Sequence, residues 1–361
     1  MHQNKPLKIK FVILLFFSVV FASAQTVRKY SNEFMNIGVD AAALGMANAV
    51  TAITSDVNAG YWNPAGLVKL EDKQLSLMHA SYFANIATYN YAGFAMPLDD
   101  RSAVGFSAIR FGVDDILNTT QLIDQQGNID YNRISLFSTA DYGFTFSYAR
   151  KLPLDGLNYG VNAKVIRRVI GKFASSWGFG LDVGVQFEKK DWRFGIMARD
   201  ITTTYNIWTI DEDEFANVQG AVEGQNQEEP ESTEITIPKL QIGAGRLFEF
   251  RGDYSLLASM NLNVRFAETN DIISTGGFSI DPALGFEFGF IEMVFLRAGV
   301  GNFQNVLQLD GSESINFQPN MGVGFKYKGI QVDYALTDIG DQSVALYSNV
   351  FSVKVDWNIF R

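Results

Sequence analysis

The stretch Ser255-Leu256-Leu257-Ala258-Ser259-Met260-Asn261-Leu262-Asn263-Val264-Arg265-Phe266 decides how the whole chain reads. Leu256, Ala258, Met260, Leu262, Val264 and Phe266 fall on one side of an extended strand; Ser255, Ser259, Asn261, Asn263 and Arg265 fall on the other. Strand side chains point alternately to two faces, so this stretch offers one face to an apolar medium and one to water. Two later stretches repeat the pattern. Met321, Val323, Phe325 and Tyr327 oppose Gly322, Gly324, Lys326 and Lys328. Phe351, Val353, Val355, Trp357 and Ile359 oppose Ser352, Lys354, Asp356 and Asn358. In a barrel that crosses a membrane, the apolar face meets lipid and the polar face lines the lumen.

Extending the same reading from Gln74 onward gives fourteen strands, at 74–82, 89–97, 102–111, 141–150, 157–169, 177–187, 192–200, 238–247, 254–266, 276–289, 295–303, 319–328, 329–336 and 349–360. Many have the ~9–11 residues of a tilted membrane strand. The connections sort by parity: Leu98–Arg101, Lys151–Gly156 and Glu188–Asp191 are short, whereas Gly112–Ala140 and Ile201–Ile237 are long. Short turns on one rim and long loops on the other are the pattern of outer-membrane barrels, and a soluble sandwich has no reason to sort its loops this way. The expected fold is all-β, a transmembrane antiparallel barrel of about fourteen strands over residues 70–361, placed in the cell outer membrane with its lipid as the surrounding partner.

The first residues point to export. Lys5, Lys8 and Lys10 precede an apolar run from Phe11 to Phe21, and Ala22-Ser23-Ala24 supplies small residues for cleavage. The run is too short to span a membrane core that needs about 20 residues. Residues 1–24 therefore read as a cleaved signal, with Gln25 as the mature start. Cysteine is absent, which excludes disulfides and thiolate metal sites. The formal charge of −10 argues against nucleic acid.

Residues 25–69 differ from the barrel. Asp40–Ile53 is Ala-rich and could form a short helix; Tyr61-Trp62-Asn63-Pro64-Ala65-Gly66 follows. Pro64 pushes Asn63 out of the helical region, and Gly66 permits a tight turn. The segment reads as a hatch inside the lumen. The alternative is a periplasmic tail, which would hardly need Tyr61 and Trp62.

Chemistry for catalysis is thin. After the signal only His79 remains, and it reads as a satisfied strand residue; no enzymatic role, cofactor or metal is expected. Lys326, Asp333, Lys354 and Asp356 lie on three consecutive strands and either define a ligand site or pair with one another to fix the interior. The connections assigned to the outer rim hold nineteen Asp or Glu against Arg133 and Lys172. Ile201–Ile237 alone carries nine acids and no base, which reads as a solvated loop, with calcium capture or a basic partner as alternatives. Tyr131, Phe137, Tyr205, Trp208 and Phe215 stand among these charges, either as partner-facing anchors or as cover for the barrel mouth.

The stretch Phe34–Leu67 resembles the start of PorV/PorQ-family proteins, relatives of the FadL fatty-acid transporters. The residues that carry the likeness are Gly38, Ala41, Leu44-Gly45-Met46, Asp56 and Tyr61-Trp62-Asn63-Pro64-Ala65-Gly66-Leu67. Val332-Asp333-Tyr334-Ala335 followed by Gly340 is similar to that family's penultimate strand. Ala43 and Ala47 stand where the family pattern has Arg and Gly. The resemblance implies a FadL-like barrel with an N-terminal hatch. It also implies a role in type IX secretion, receiving the C-terminal domains of exported cargo beside a translocon barrel. The alternative it implies is a FadL-like transporter of small hydrophobic molecules, and a third reading is a structural surface barrel.

Overall fold

The structure, a computed structural model, describes residues 31–361 apart from 124–126, 222–231, 251–252, 309–310, 338–346 and 361. The expected cleavage after Ala24, and Gly340, lie outside the described residues. The first seven strands are β1 (Gln74–Tyr82), β2 (Ala87–Asp99), β3 (Ser102–Asn118), β4 (Ser135–Lys151), β5 (Leu157–Ile170), β6 (Ala174–Lys189) and β7 (Trp192–Arg199). Two short strands, β8 (Thr204–Ile210) and β9 (Thr233–Thr236), precede β10 (Lys239–Glu249) and β11 (Tyr254–Arg265). The rest are β12 (Ile273–Ser274), β13 (Ser279–Phe290), β14 (Val294–Leu307), β15 (Glu313–Tyr327), β16 (Ile330–Thr337) and β17 (Ser348–Asp356).

Fourteen of these form the wall, each antiparallel to its neighbours. β7 pairs with β10, β11 pairs with β13, and β17 returns to β1, from Gln74↔Asp356 to Ser81↔Asn349. The sheet therefore closes and leaves no edge, as a barrel in lipid requires. Met321, Val323, Phe325, Phe351, Phe286 and Leu296 stand exposed on the outside. Their alternates Asn320, Ser352 and Arg297 are buried within. A closed barrel with an apolar outer surface is an outer-membrane barrel. No described helix is long and apolar enough to cross a membrane.

The structure departs from the sequence reading at the outer rim. β3 and β4 stay paired to Asn118↔Ser135, past a bulge between Val113 and Ile116, so the expected loop 112–140 shrinks to 119–134. Nor is 201–237 only a solvated loop. β7 stops at Arg199, and β8 takes over its place beside the upper end of β6, from Phe179↔Tyr205 to Ala174↔Ile210. The upper edge of β6 would otherwise lack partners. β9 pairs with β8, and a helix covers Glu212–Ala221.

Residues 31–72 run inside the barrel. Ser31 and Asn32 bond Thr236 and Asn206 near the outer end, and the chain descends to enter β1 at the opposite end. The expected helix over 40–53 shortens to Ala41–Gly45, because Ala47 and Asn48 turn to φ +51° and +63°. A second helical turn covers Ala59–Trp62, and a 3-10 helix covers Pro64–Lys69. The main buried cluster joins Val39, Leu44, Val50, Tyr61 and Trp62 of this segment to Tyr89 and Ile166 of the wall. The barrel therefore has a packed interior, built largely from its own N-terminal segment.

Candidate functional site: the plugged lumen

Several wall glycines face the segment where its backbone passes closely. A Cβ on Gly160 would come 2.5 Å from Ala65 N, and one on Gly285 would come 2.6 Å from Met46 O. Glycine admits a backbone that any side chain would exclude. The descending chain fits this track of missing side chains.

Polar contacts then pin it. Asn63 is fully buried with φ −162°, the extended geometry that Pro64 imposes. Its Nδ2 donates to Thr51 O at 3.0 Å and to Val185 O of β6 at 3.1 Å, and its Oδ1 accepts from Ala65 N at 3.3 Å. One side chain thus ties two parts of the segment to the wall. Trp62 packs edge-on against Tyr61 at 4.8 Å and donates Nε1–H to Val39 O at 3.0 Å. Tyr61 donates its hydroxyl to Met35 O at 2.7 Å and lies under the Arg199 guanidinium at 4.7 Å. Pro64, Ala65 and Gly66 are buried beside them.

One charged cluster bonds the carboxylates of the segment itself, and two more brace the wall around it. Lys354 of β17 reaches Asp56 at 2.7 Å and Asp40 at 3.3 Å, and Ser352 donates to Asp40 at 2.8 Å. Burial alone pushes the Asp40 carboxyl up, but Lys354, the Ser352 hydrogen bond and Arg297 together hold it below the usual carboxylate range. Asp333 pairs with Arg297 at 2.7 Å, and Arg297 also meets Glu287 at 2.6 Å. On the far wall Lys164 sits between Asp182 at 2.7 Å and Asp200 at 2.6 Å, with Asn162 donating to Gly60 O at 2.9 Å.

The four charges singled out from the sequence do not form one network. Lys354 finds its partners on the plug, Asp333 finds Arg297, Asp356 accepts from Gln74, and Lys326 is exposed at the lower mouth. Sequence reading missed Arg199, Arg297, Lys164, Asp182 and Asp200. Their signal was present, since alternation puts Lys164 and Asp182 on the faces opposite Val165 and Leu181.

The rim aromatics also separate. Tyr131 is 72% exposed on a 3-10 turn. Phe137 is half-buried against Phe173 at 5.4 Å, and Trp208 lies under Arg168 at 5.2 Å. Phe215 is half-buried on the Glu212–Ala221 helix. Tyr205 is not a loop residue. It stands on β8 opposite Phe179, and both point out from the wall. His79 likewise faces outward, 2.7 Å from Asn90 Oδ1.

Among the described residues, an upper and a lower cavity open into the lumen. The upper one holds about 460 Å³ above Leu44 and Trp62; the lower one, about 250 Å³, lies at the opposite mouth beside Asp56, Lys326 and Lys354. They share no lining residue, and the buried plug lies between them.

No protein-family model and no curated protein matches the sequence. Solved structures do match the fold. A Pseudomonas aeruginosa FadL homologue aligns over 88% of this chain and 98% of its own, with TM-score 0.51 and 12% identity. The P. putida toluene transporter TodX covers 89% and 99%, with TM-score 0.56 and 11% identity. The CymD monoaromatic hydrocarbon channel covers 89% and 98%, with TM-score 0.54 and 12% identity. The chain therefore has the fold of FadL-type outer-membrane barrels.

Proposed function

We propose that this barrel carries small, largely apolar molecules across the outer membrane, and that residues 31–72 form a plug that must shift to let them through. The carrying observation is the upper cavity, about 460 Å³, which shares no lining residue with the cavity at the lower mouth and is separated from it by the buried segment. That volume lies in the range of small-molecule sites. The shared fold with a toluene transporter and a monoaromatic hydrocarbon channel supports the reading. Uptake of labelled toluene by cells with and without the protein tests it. Faster uptake with the protein is the expected result; equal uptake removes the proposal.

A second reading, docking of secreted cargo in the type IX manner, rests on the resemblance of residues 34–67 and on Tyr131 standing exposed at the outer rim. Deleting 206–234 separates the two. The transport reading expects every secreted cargo still to reach the surface, while the docking reading expects its release or attachment to fail.

A further inference from the structure

Charge is costly on the lipid-facing side of a barrel wall, yet β3 and β5 each carry an arginine there. Their chain neighbours Ile109 and Ile166 are buried inside, so Arg110 and Arg167 point outward. Cross-strand register sets them in one outer row, His79↔Asn90↔Arg110↔Tyr142↔Arg167↔Trp177, from β1 to β6. Both guanidiniums lie at the outer end of the membrane span. β3 leaves its short turn at Ser102, and the Arg110 side chain climbs until its guanidinium lies over Gly112. A Cβ on that glycine would come 3.0 Å from Cζ, Nη1 and Nη2. β5 leaves its own turn at Leu157 and reaches Arg167. Each climb, 102 to 112 and 157 to 167, fills the ~9–11 residues that cross a membrane.

The two cations are poorly answered by the protein. Asp114 engages only Nη2 of Arg110, at 3.2 Å, and is half exposed; such a pair adds little. Arg167 lies over the Trp177 ring at 4.9 Å and donates to Ser176 O at 3.3 Å, and it meets no carboxylate among the described residues. Their strands are two positions apart, about 10 Å. Beneath Arg110 a groove of about 550 Å³ opens on the outer face. The next row down explains it, because Ala92 and Ala108 are short while Leu77 and Phe144 rise on either side. At its upper edge His79 and Asn90 bond each other at 2.7 Å, so the rest of the groove offers apolar surface.

We infer that the outer face of β1–β6 holds a bisphosphorylated, multiply acylated glycolipid of the outer leaflet, its phosphates on Arg110 and Arg167 and one acyl chain in the groove. Arginine suits phosphate because its planar fork donates two parallel hydrogen bonds. A lipid with one phosphate meets one arginine at a time, whereas two phosphates carried across a disaccharide reach both. The site lies outside the lumen and is independent of what passes through it.

The test is native mass spectrometry of the purified full-length protein in detergent. It is offered bisphosphorylated lipid A, the monophosphorylated form, or phosphatidylglycerol. The bisphosphorylated form should be retained about tenfold better than either of the others, the scale of one charge-assisted contact. Arg110→Gln with Arg167→Gln should bring the three lipids to similar retention. Ala108→Phe should fill the groove and weaken both forms of lipid A alike. Heat-modifiable migration on gels confirms that each variant is a folded barrel, and the comparison of lipids on the parent protein needs no variant. Equal retention of all three lipids, a preference for phosphatidylglycerol, or a bisphosphate preference that survives the double glutamine variant would each overturn the inference.

Discussion

Lys354 ties the plug to the wall at two points, because one buried ammonium meets both Asp40 and Asp56. Lys354→Met strands two carboxylates, and losing one partner of a buried cluster costs on the order of 3 kcal/mol. Urea unfolding in detergent should show that loss, and Lys354→Arg should recover part of it. The lowered Asp40 sets the pH window. A group whose folded value is depressed contributes stability above its unfolded value, about 4, and loses it as pH falls through the folded one. Protease protection of the plug should therefore hold from pH 7 to about 5 and fade only in stronger acid. Ala47 gives the opposite expectation. It sits at φ +51°, where a Cβ costs roughly 1 kcal/mol, so Ala47→Gly should raise the unfolding midpoint. Alternation along β17 placed Lys354 in the lumen, but nothing local in the sequence pairs it with an aspartate some three hundred positions earlier.

At the scale of elements, period-two patterning located every wall strand, because each strand meets two media and must alternate. It misjudged the outer ends, where β3 and β4 continue above the membrane and alternation no longer has lipid to enforce it. The β8–β9 hairpin escaped for a related reason. Thr204 and Asn206 face the lumen while Tyr205 and Ile207 face outward, yet the acids that follow dominate the composition. Because β7 and β10 pair directly below it, deleting 206–234 should leave a heat-modifiable barrel in the membrane. The glycine track gives a sharper test. Gly160→Val puts branched bulk against the Ala65 backbone, so it should expel the lower plug while β5 stays in the wall. Protease added at the periplasmic face should then cut near Ala59, which it spares in the parent protein.

At the scale of the molecule, the chain is a closed wall around a core formed largely by its own N-terminal segment. The wall was legible because lipid imposes its pattern on every strand. The plug was legible only as an aromatic, glycine-bearing segment that did not read as strand, since its contacts are made with residues far away in sequence. The central claim, that passage requires the plug to move, has one direct measurement. The protein has no cysteine, and a Cβ on Gly60 would lie 3.6 Å from the Ser147 Cβ, within the ~3.5–4.5 Å span of a disulfide. Uptake of labelled toluene is measured in cells carrying Gly60→Cys with Ser147→Cys, oxidised and then reduced. Uptake should be blocked in the oxidised state and restored by reductant. Unchanged uptake with the disulfide fully formed would contradict it.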